Sequence, residues 1–104
     1  MIRATFYKNK GFTAGFLIKG HSGYAEEGSD VICASVSSAA YMAANTLTEI
    51  VGARADIDVD DGYLRLTVKE PSEKTEIILQ GLELHISTLA QEYDEYILCQ
   101  EKTL

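Results

Sequence analysis

The sequence is poor in long apolar runs, basic residues and cysteines, and each shortage excludes a class of protein. No apolar stretch approaches membrane-spanning length, and the polar N-terminal segment, residues 1–10, does not read as a signal peptide. Nine Lys and Arg residues against sixteen Asp and Glu residues give a net charge of −7, which argues against sequence-independent nucleic-acid binding. We therefore expect a cytoplasmic protein that binds neither membranes nor nucleic acid directly.

The two cysteines, Cys33 and Cys99, are expected to be free thiols, because the sequence carries no export signal. The chain has 104 residues, of which 46% are hydrophobic, so we expect one domain, residues 1–104, around a single core. Its net negative charge favours a basic partner, since opposite net charges increase the rate of association.

Alternating apolar and polar residues predict a β-hairpin over residues 2–19. A three-residue loop at 9–11 would pair Phe6 with Ala14 and place the apolar residues of both strands on one face. It would also pair Ala4 with Phe16 and Ile2 with Ile18. A two-residue loop would instead turn the apolar set of the second strand to the wrong side.

A second hairpin is predicted over residues 54–69, with Asp61-Gly62 as a two-residue turn. This register places Asp58 opposite Arg65, a favourable cross-strand charge pair. It also forms three apolar pairs on the other face: Val59–Leu64, Ile57–Leu66 and Ala55–Val68.

Apolar spacings of three and four residues predict a helix from about Val31 to Ile50 and another that begins after Ser72. Asp30, or alternatively Ser29, would cap the first helix, and Gly52 would mark its end. The predicted buried stripes are Ile32, Val36, Ala40, Ala43, Leu47 and Ile50 in the first helix, and Ile78, Leu82, Ile86, Leu89 and Tyr93 in the second.

The β-prone residues 96–100 would add an edge strand, so the predicted order of elements is ββαββαβ. Two helices packed on one face of a mainly antiparallel sheet is the simplest architecture for this order. The fold class predicted from the sequence is therefore α+β, a two-layer sandwich.

The segment from Gly20 to Cys33 places a histidine and a thiol on either side of a loop that contains glycines. His21 would follow the second strand, and Cys33 would lie in the first turn of a helix, where the helix dipole favours the nucleophilic thiolate. A nearby imidazole could then protonate a leaving amine. Cys99 and His85 lie far from this segment along the chain, and we interpret them as a structural thiol and a surface histidine.

The strings Gly-His-Ser-Gly-Tyr at 20–24 and Gly-Ser-Asp-Val-Ile-Cys-Ala-Ser-Val-Ser at 28–37 resemble the signature of the ribosomal-processing cysteine proteases, the Prp family. The resemblance continues along the chain in the order of elements and in length. It implies a similar fold and a cytoplasmic cysteine endopeptidase with a Cys-His dyad, His21 and Cys33. It further implies a homodimer without a cofactor that removes the short N-terminal extension of large-subunit ribosomal protein twenty-seven, a basic substrate.

Five further residues are candidates for supporting or substrate-binding roles: Gly20, Gly23, Asp30, Ala34 and Ser37. Asp30 could cap the helix or act as the third member of a triad that orients His21. The backbone amides of Cys33 and Ala34, expected to be unpaired at the helix start, would bind an oxyanion. Ser37 lies one turn beyond Cys33, and residues 22–29 would form a lid over a peptide groove.

The sequence is also compatible with two other functions. The chain could be a non-enzymatic ribosome-assembly module that holds a basic protein, or a redox-sensing thiol protein that uses Cys33 without peptide hydrolysis. Metal sites are disfavoured. The aspartates at 56–61 lack the residues that an EF-hand requires at its sixth and twelfth positions, and the Cys and His residues lack the usual zinc-ligand spacings.

Overall fold

The computed structural model describes residues 1–26 and 29–104, which form five strands and two helices in the predicted order ββαββαβ. The five strands form one mixed sheet in the order β3-β4-β2-β1-β5, and the helices pack against it and against each other. The elements are β1 (Ile2–Asn9), β2 (Phe12–Lys19), α1 (Val31–Asn45), β3 (Ala55–Asp60), β4 (Tyr63–Val68), α2 (Glu73–Glu92) and β5 (Ile97–Thr103). The α+β class is confirmed.

The first hairpin is present, but its predicted loop and register are wrong. The loop has two residues, Lys10 and Gly11, both with positive φ (52° and 85°), as a type I′ turn requires. Phe6 pairs with Phe16 rather than with Ala14. A β-bulge, in which Ala14 is the additional residue of β2, restores the parity that the short loop would otherwise reverse. Phe16 and Ile18 of β2 therefore still share the buried face with the apolar residues of β1, whereas Phe12 is exposed.

The same bulge directs the Thr13 side chain into the core, where it contacts α2. The Thr13 amide and hydroxyl donate to the two carboxylate oxygens of Glu76, at 2.5 and 2.9 Å. Lys8 Nζ donates to Thr13 Oγ1 (2.9 Å) and to Glu83 Oε1 (2.6 Å). This polar network joins the tip of the first hairpin to α2 and satisfies the hydrogen-bonding groups of the fully buried Thr13.

Helix α1 begins as predicted at the N-cap Asp30, whose carboxylate accepts from the amides of Ile32 and Cys33. Helical structure also continues to Ile50, but its last five residues, Thr46–Ile50, form a π-helix. The wider turn changes the direction of the last side chains, so Ile50 is 80% exposed and its predicted burial is wrong. The other five residues of the predicted stripe are buried.

The second hairpin has the predicted register, including the Asp61-Gly62 turn and the Asp58–Arg65 pair. Strand β3 forms one edge of the sheet, so the apolar residues of β4 are buried while Ile57 and Val59 of β3 remain exposed.

Helix α2 is capped by Ser72 as predicted, with Ser72 and Thr75 forming a reciprocal capping box. Its buried face is centred on Leu79, Leu82 and Ile86, and Leu79 was absent from the predicted stripe. The C-terminal segment forms the other edge of the sheet, where β5 runs parallel to β1. Within the described ranges, neither helix is long and apolar enough to span a membrane.

Candidate active site

A cleft of about 230 Å³ opens where the end of β2, the start of α1 and the turn between β3 and β4 meet. His21 and Cys33 both line it. The other polar or aromatic residues of its wall include Ser37, Tyr41, Asp60, Asp61 and Tyr63. The fold therefore brings the two residues predicted as a dyad into one cleft, together with a turn that lies about 40 residues after His21 in the chain.

Cys33 lies in the first turn of α1 with its side chain partly buried against the core. The backbone amide of Ser22 donates a hydrogen bond to Cys33 Sγ at 3.3 Å. Because that amide is bonded directly to the carbonyl carbon of His21, the contact fixes the backbone of the histidine beside the thiol. A hydrogen bond donated to sulfur also stabilises negative charge on it.

His21 follows the last residue of β2, and half of its side-chain surface is exposed. Its imidazole lies against Gly62 in the β3–β4 turn, where a Cβ atom would come within 2.6 Å of Nε2. Nε2 is also 3.9 Å from Asp61 Oδ2. The carboxylate beside the imidazole therefore belongs to Asp61, a residue for which the sequence alone predicted no site role.

Asp30 is a helix cap that also organises the loop before the helix. Its Oδ1 accepts from the amides of Ile32 and Cys33, both at 3.0 Å, and its Oδ2 accepts from the hydroxyl of Ser22. The hydrogen bond from Ser22, followed by that from the Cys33 amide, holds the pKa of Asp30 at about 2, well below its ordinary value. These contacts favour the capping role over the triad role, because both carboxylate oxygens already have partners away from His21.

The amides of Cys33 and Ala34 are not unpaired, contrary to expectation. The Cys33 amide donates to the Asp30 carboxylate, and the Ala34 amide donates to the Asp30 backbone carbonyl at 3.0 Å. The prediction is wrong in its premise because an effective N-cap satisfies the very amides that begin the helix. The backbone donor that faces the thiol is instead the amide of Ser22.

The remaining supporting candidates differ in their surroundings. Gly20 has φ +97°, and a Cβ there would lie 2.3 Å from the carbonyl oxygen of Met1, so the backbone requires glycine. Gly23 has φ +76° with open space around it. Ser37 lines the cleft as predicted.

The predicted lid lies partly outside the described residues, since Glu27 and Gly28 are not among them. At its start, the ring of Tyr24 packs edge-on against Tyr96, with centroids 5.4 Å apart.

The second cysteine and the second histidine lie outside the cleft. Cys99 is on the edge strand β5, where burial raises the pKa of its thiol to about 11 and the carboxylates of Glu83 and Glu101 add to the effect. Such a thiol is a poor nucleophile near neutral pH. His85 is exposed on α2, as expected. Among the described residues, no three His, Cys, Asp or Glu side chains converge as a metal site requires.

The sequence and the fold match those of known proteins. A sequence model of the family described as cysteine protease Prp matches residues 1–98. The chain belongs to the Prp family of cysteine proteases. The ribosomal processing cysteine protease Prp of Staphylococcus aureus (strain Mu50) is 27% identical over 92 residues, which cover 86% of this chain and 87% of the relative. Prp of Bacillus subtilis (strain 168) is 27% identical over 104 residues, covering 91% and 92%.

The fold comparison gives the same family. The crystal structure of S. aureus Prp with a covalently linked product peptide superposes with a TM-score of 0.92 at 26% identity, over 98% of this chain and all of the other. S. aureus Prp with a substrate peptide superposes at 0.87 and 25% identity, with the same coverage. The S. aureus relative thus carries a bound peptide in both structures.

Sequence reasoning missed the part of the cleft that comes from the β3–β4 turn. The turn itself was predicted correctly, but nothing in the local pattern indicates that β4 pairs with β2 and thereby carries Asp61 and Gly62 to His21. Ser22 was also missed as a partner of both Cys33 and Asp30. Its position immediately after the histidine was the available signal.

Proposed function

We propose that this chain is a cysteine endopeptidase in which Cys33 is the nucleophile and His21 is the general acid and base. The observation that carries the proposal is that both side chains line one cleft, with the amide next to His21 donating to the Cys33 sulfur. Membership of a cysteine protease family supports the same assignment. Cys99, on the edge strand β5 with a raised pKa, lacks these features.

The proposed reaction has two steps. The Cys33 thiolate attacks the scissile carbonyl carbon, and as the C–N bond breaks, the departing amine takes a proton from the imidazolium of His21. A water molecule then attacks the thioester while His21 accepts its proton, which releases the acid and restores the thiolate–imidazolium pair with which the reaction began. The Ser22 amide, which already faces Sγ, is well placed to donate to the developing oxyanion.

For the substrate, we propose the N-terminal extension of large-subunit ribosomal protein twenty-seven, which the Prp resemblance implies. Support comes from the relatives named for ribosomal processing and from the net charge of −7, which suits a basic ribosomal protein. We further propose that the enzyme acts in the cytoplasm as a homodimer. Light scattering during size-exclusion chromatography tests the dimer, and a mass of one chain at every concentration would contradict it.

The decisive experiment incubates the purified protein with the same cell's ribosomal protein twenty-seven and follows the mass of that protein's N-terminal segment. We expect the parent enzyme to remove a short segment and the Cys33→Ala and His21→Ala variants to remove none. The matched control is Cys99→Ala, which deletes the other thiol and should retain parental activity.

The outcomes separate the proposed function from its rivals. If the parent binds the ribosomal protein without changing its mass, the assembly module replaces the protease. If the parent leaves the protein intact but Cys33 is oxidised reversibly by peroxide, the redox-sensing thiol protein replaces it. If Cys99→Ala abolishes cleavage and Cys33→Ala does not, the nucleophile has been assigned to the wrong cysteine.

A further inference from the structure

We propose that the β3–β4 turn positions the imidazole of His21 and that Gly62 is the positioning residue within it. This inference rests on the proposed catalytic role of His21 and adds to it an element from a distant part of the chain. A Cβ placed on Gly62 would lie 2.6 Å from His21 Nε2, 3.1 Å from Cε1 and 3.2 Å from Cδ2. The ring thus occupies the volume that any side chain at position 62 would fill.

The turn is fixed relative to the backbone that carries His21. The Gly20 amide donates to the carbonyl of Gly62 at 2.9 Å, directly beyond the β2–β4 ladder that ends at the Lys19–Tyr63 pair. His21 therefore leaves β2 next to a turn whose position is set by the sheet. No side-chain hydrogen bond within the described residues holds the His21 ring, and packing against this turn constrains its orientation.

The orientation also separates the roles of the two ring nitrogens. The three ring atoms nearest to position 62 are Nε2 and its two neighbours, so Nδ1 is directed away from the turn. Nδ1 is then the nitrogen left to exchange a proton with Cys33. Asp61 Oδ2, 3.9 Å from Nε2, is too distant for a hydrogen bond in this arrangement. The Asp61 carboxylate would attract the positive charge of a protonated ring, although the exposure of both groups weakens this attraction.

The test compares substitutions at Gly62 with the same substitutions at Gly11. Both glycines have positive φ (63° and 85°), so both lose stability through backbone strain, but a Cβ at Gly11 meets nothing within 4 Å. We expect Gly62→Ala to lower kcat for peptide cleavage at least tenfold with KM changed less than twofold. Gly11→Ala should lose similar thermal stability and retain the parental kcat.

Gly62→Asn provides the second variant in case Gly62→Ala folds poorly. Asparagine tolerates positive φ better than alanine and still adds a Cβ, so it should show the same loss of kcat with a smaller loss of stability. Gly11→Asn is its control. Equal kcat values for the Gly62 and Gly11 variants would overturn the positioning role.

A readout independent of catalysis separates this inference from the proposed function. The chain contains two histidines, so the imidazole ring signals of His21 and His85 can be followed by NMR in the parent and in the Cys33→Ala background. Gly62→Ala should move the His21 signals and leave those of His85 unchanged, whether or not the parent cleaves the ribosomal substrate. His21 signals that do not move would overturn the contact. Moved signals in a parent without peptidase activity would support the contact and overturn only the proposed function.

Discussion

At the scale of single residues, Asp30 shows how one carboxylate serves a helix and the loop beside the thiol together. One oxygen caps α1 and the other accepts from Ser22, whose own amide donates to Cys33. The protonation state of Asp30 is therefore coupled to the geometry of the proposed nucleophile as well as to stability.

The coupling predicts a specific pH dependence of stability. The pKa of Asp30 in the folded protein, about 2, lies below its ordinary value of 3.8, so the ionised carboxylate stabilises the fold at pH values above about 4. That contribution to stability is lost as the pH falls from about 4 towards 2. Asp30→Asn keeps a residue that can cap the helix but removes the charge. We expect its deficit in unfolding free energy relative to the parent to be largest at neutral pH and to shrink below pH about 4.

Urea denaturation of both proteins between pH 7 and pH 2 measures this difference. The control is Asp94→Asn, which removes one exposed negative charge from the turn before β5. A deficit for Asp30→Asn that stays constant across the whole range would show that its carboxylate charge does not contribute in the proposed way.

At the scale of an element, α2 shows how a helix is oriented by what it packs against. The predicted stripe contained Leu82 and Ile86 correctly but omitted Leu79, which is completely buried. Ile77, two positions earlier, is 71% exposed although it is equally apolar. Apolar residues occur on more than one side of this helix, and contacts with the sheet and with α1 select the buried side.

Two alanine substitutions test the orientation of α2. Leu79→Ala should lower the free energy of unfolding by about 2–5 kcal/mol, because it removes buried contacts and leaves a cavity. Ile77→Ala, the matched control on the same helix, should change it by no more than about 0.5 kcal/mol. Chemical denaturation measures both, and similar losses for the two variants would contradict the described orientation.

At the scale of the whole molecule, β5 completes the sheet by pairing in parallel with β1. The pairing joins the end of the chain to its beginning, and the buried Ile97 lies beside Ile2 in the core. Without β5, the backbone of β1 would become an exposed edge of the sheet. The core would also lose the contacts that α2 makes with β5.

Removal of residues 97–104 should therefore abolish cooperative unfolding and leave a chain that aggregates. Removal of Leu104 alone, which is largely exposed, should leave the thermal transition near its parental position. Circular dichroism during heating distinguishes the two. A truncated chain that still unfolds cooperatively as a monomer would show that β5 is dispensable to the fold.

Local sequence patterns were sufficient to predict the structure where the interactions that determine it lie close together in sequence. The Asp61-Gly62 turn fixes the register of β3 and β4 because the chain must reverse within two residues, and the Asp30 and Ser72 caps satisfy amides only two or three positions away. The register of the first hairpin was harder to predict, since the same apolar alternation fits a three-residue loop or a two-residue turn with a bulge. The structure adopts the bulge, which also directs Thr13 to Glu76 on α2.

The sequence by itself determined the order of elements, the helix caps, and the two residues, His21 and Cys33, that are the proposed dyad. Only the tertiary structure decided what surrounds them, because it brings the turn with Asp61 and Gly62 against the imidazole. The physical reason is that strand order and helix orientation depend on burial summed over the whole core. A local pattern can show which residues are apolar, but it does not specify which distant element will cover them.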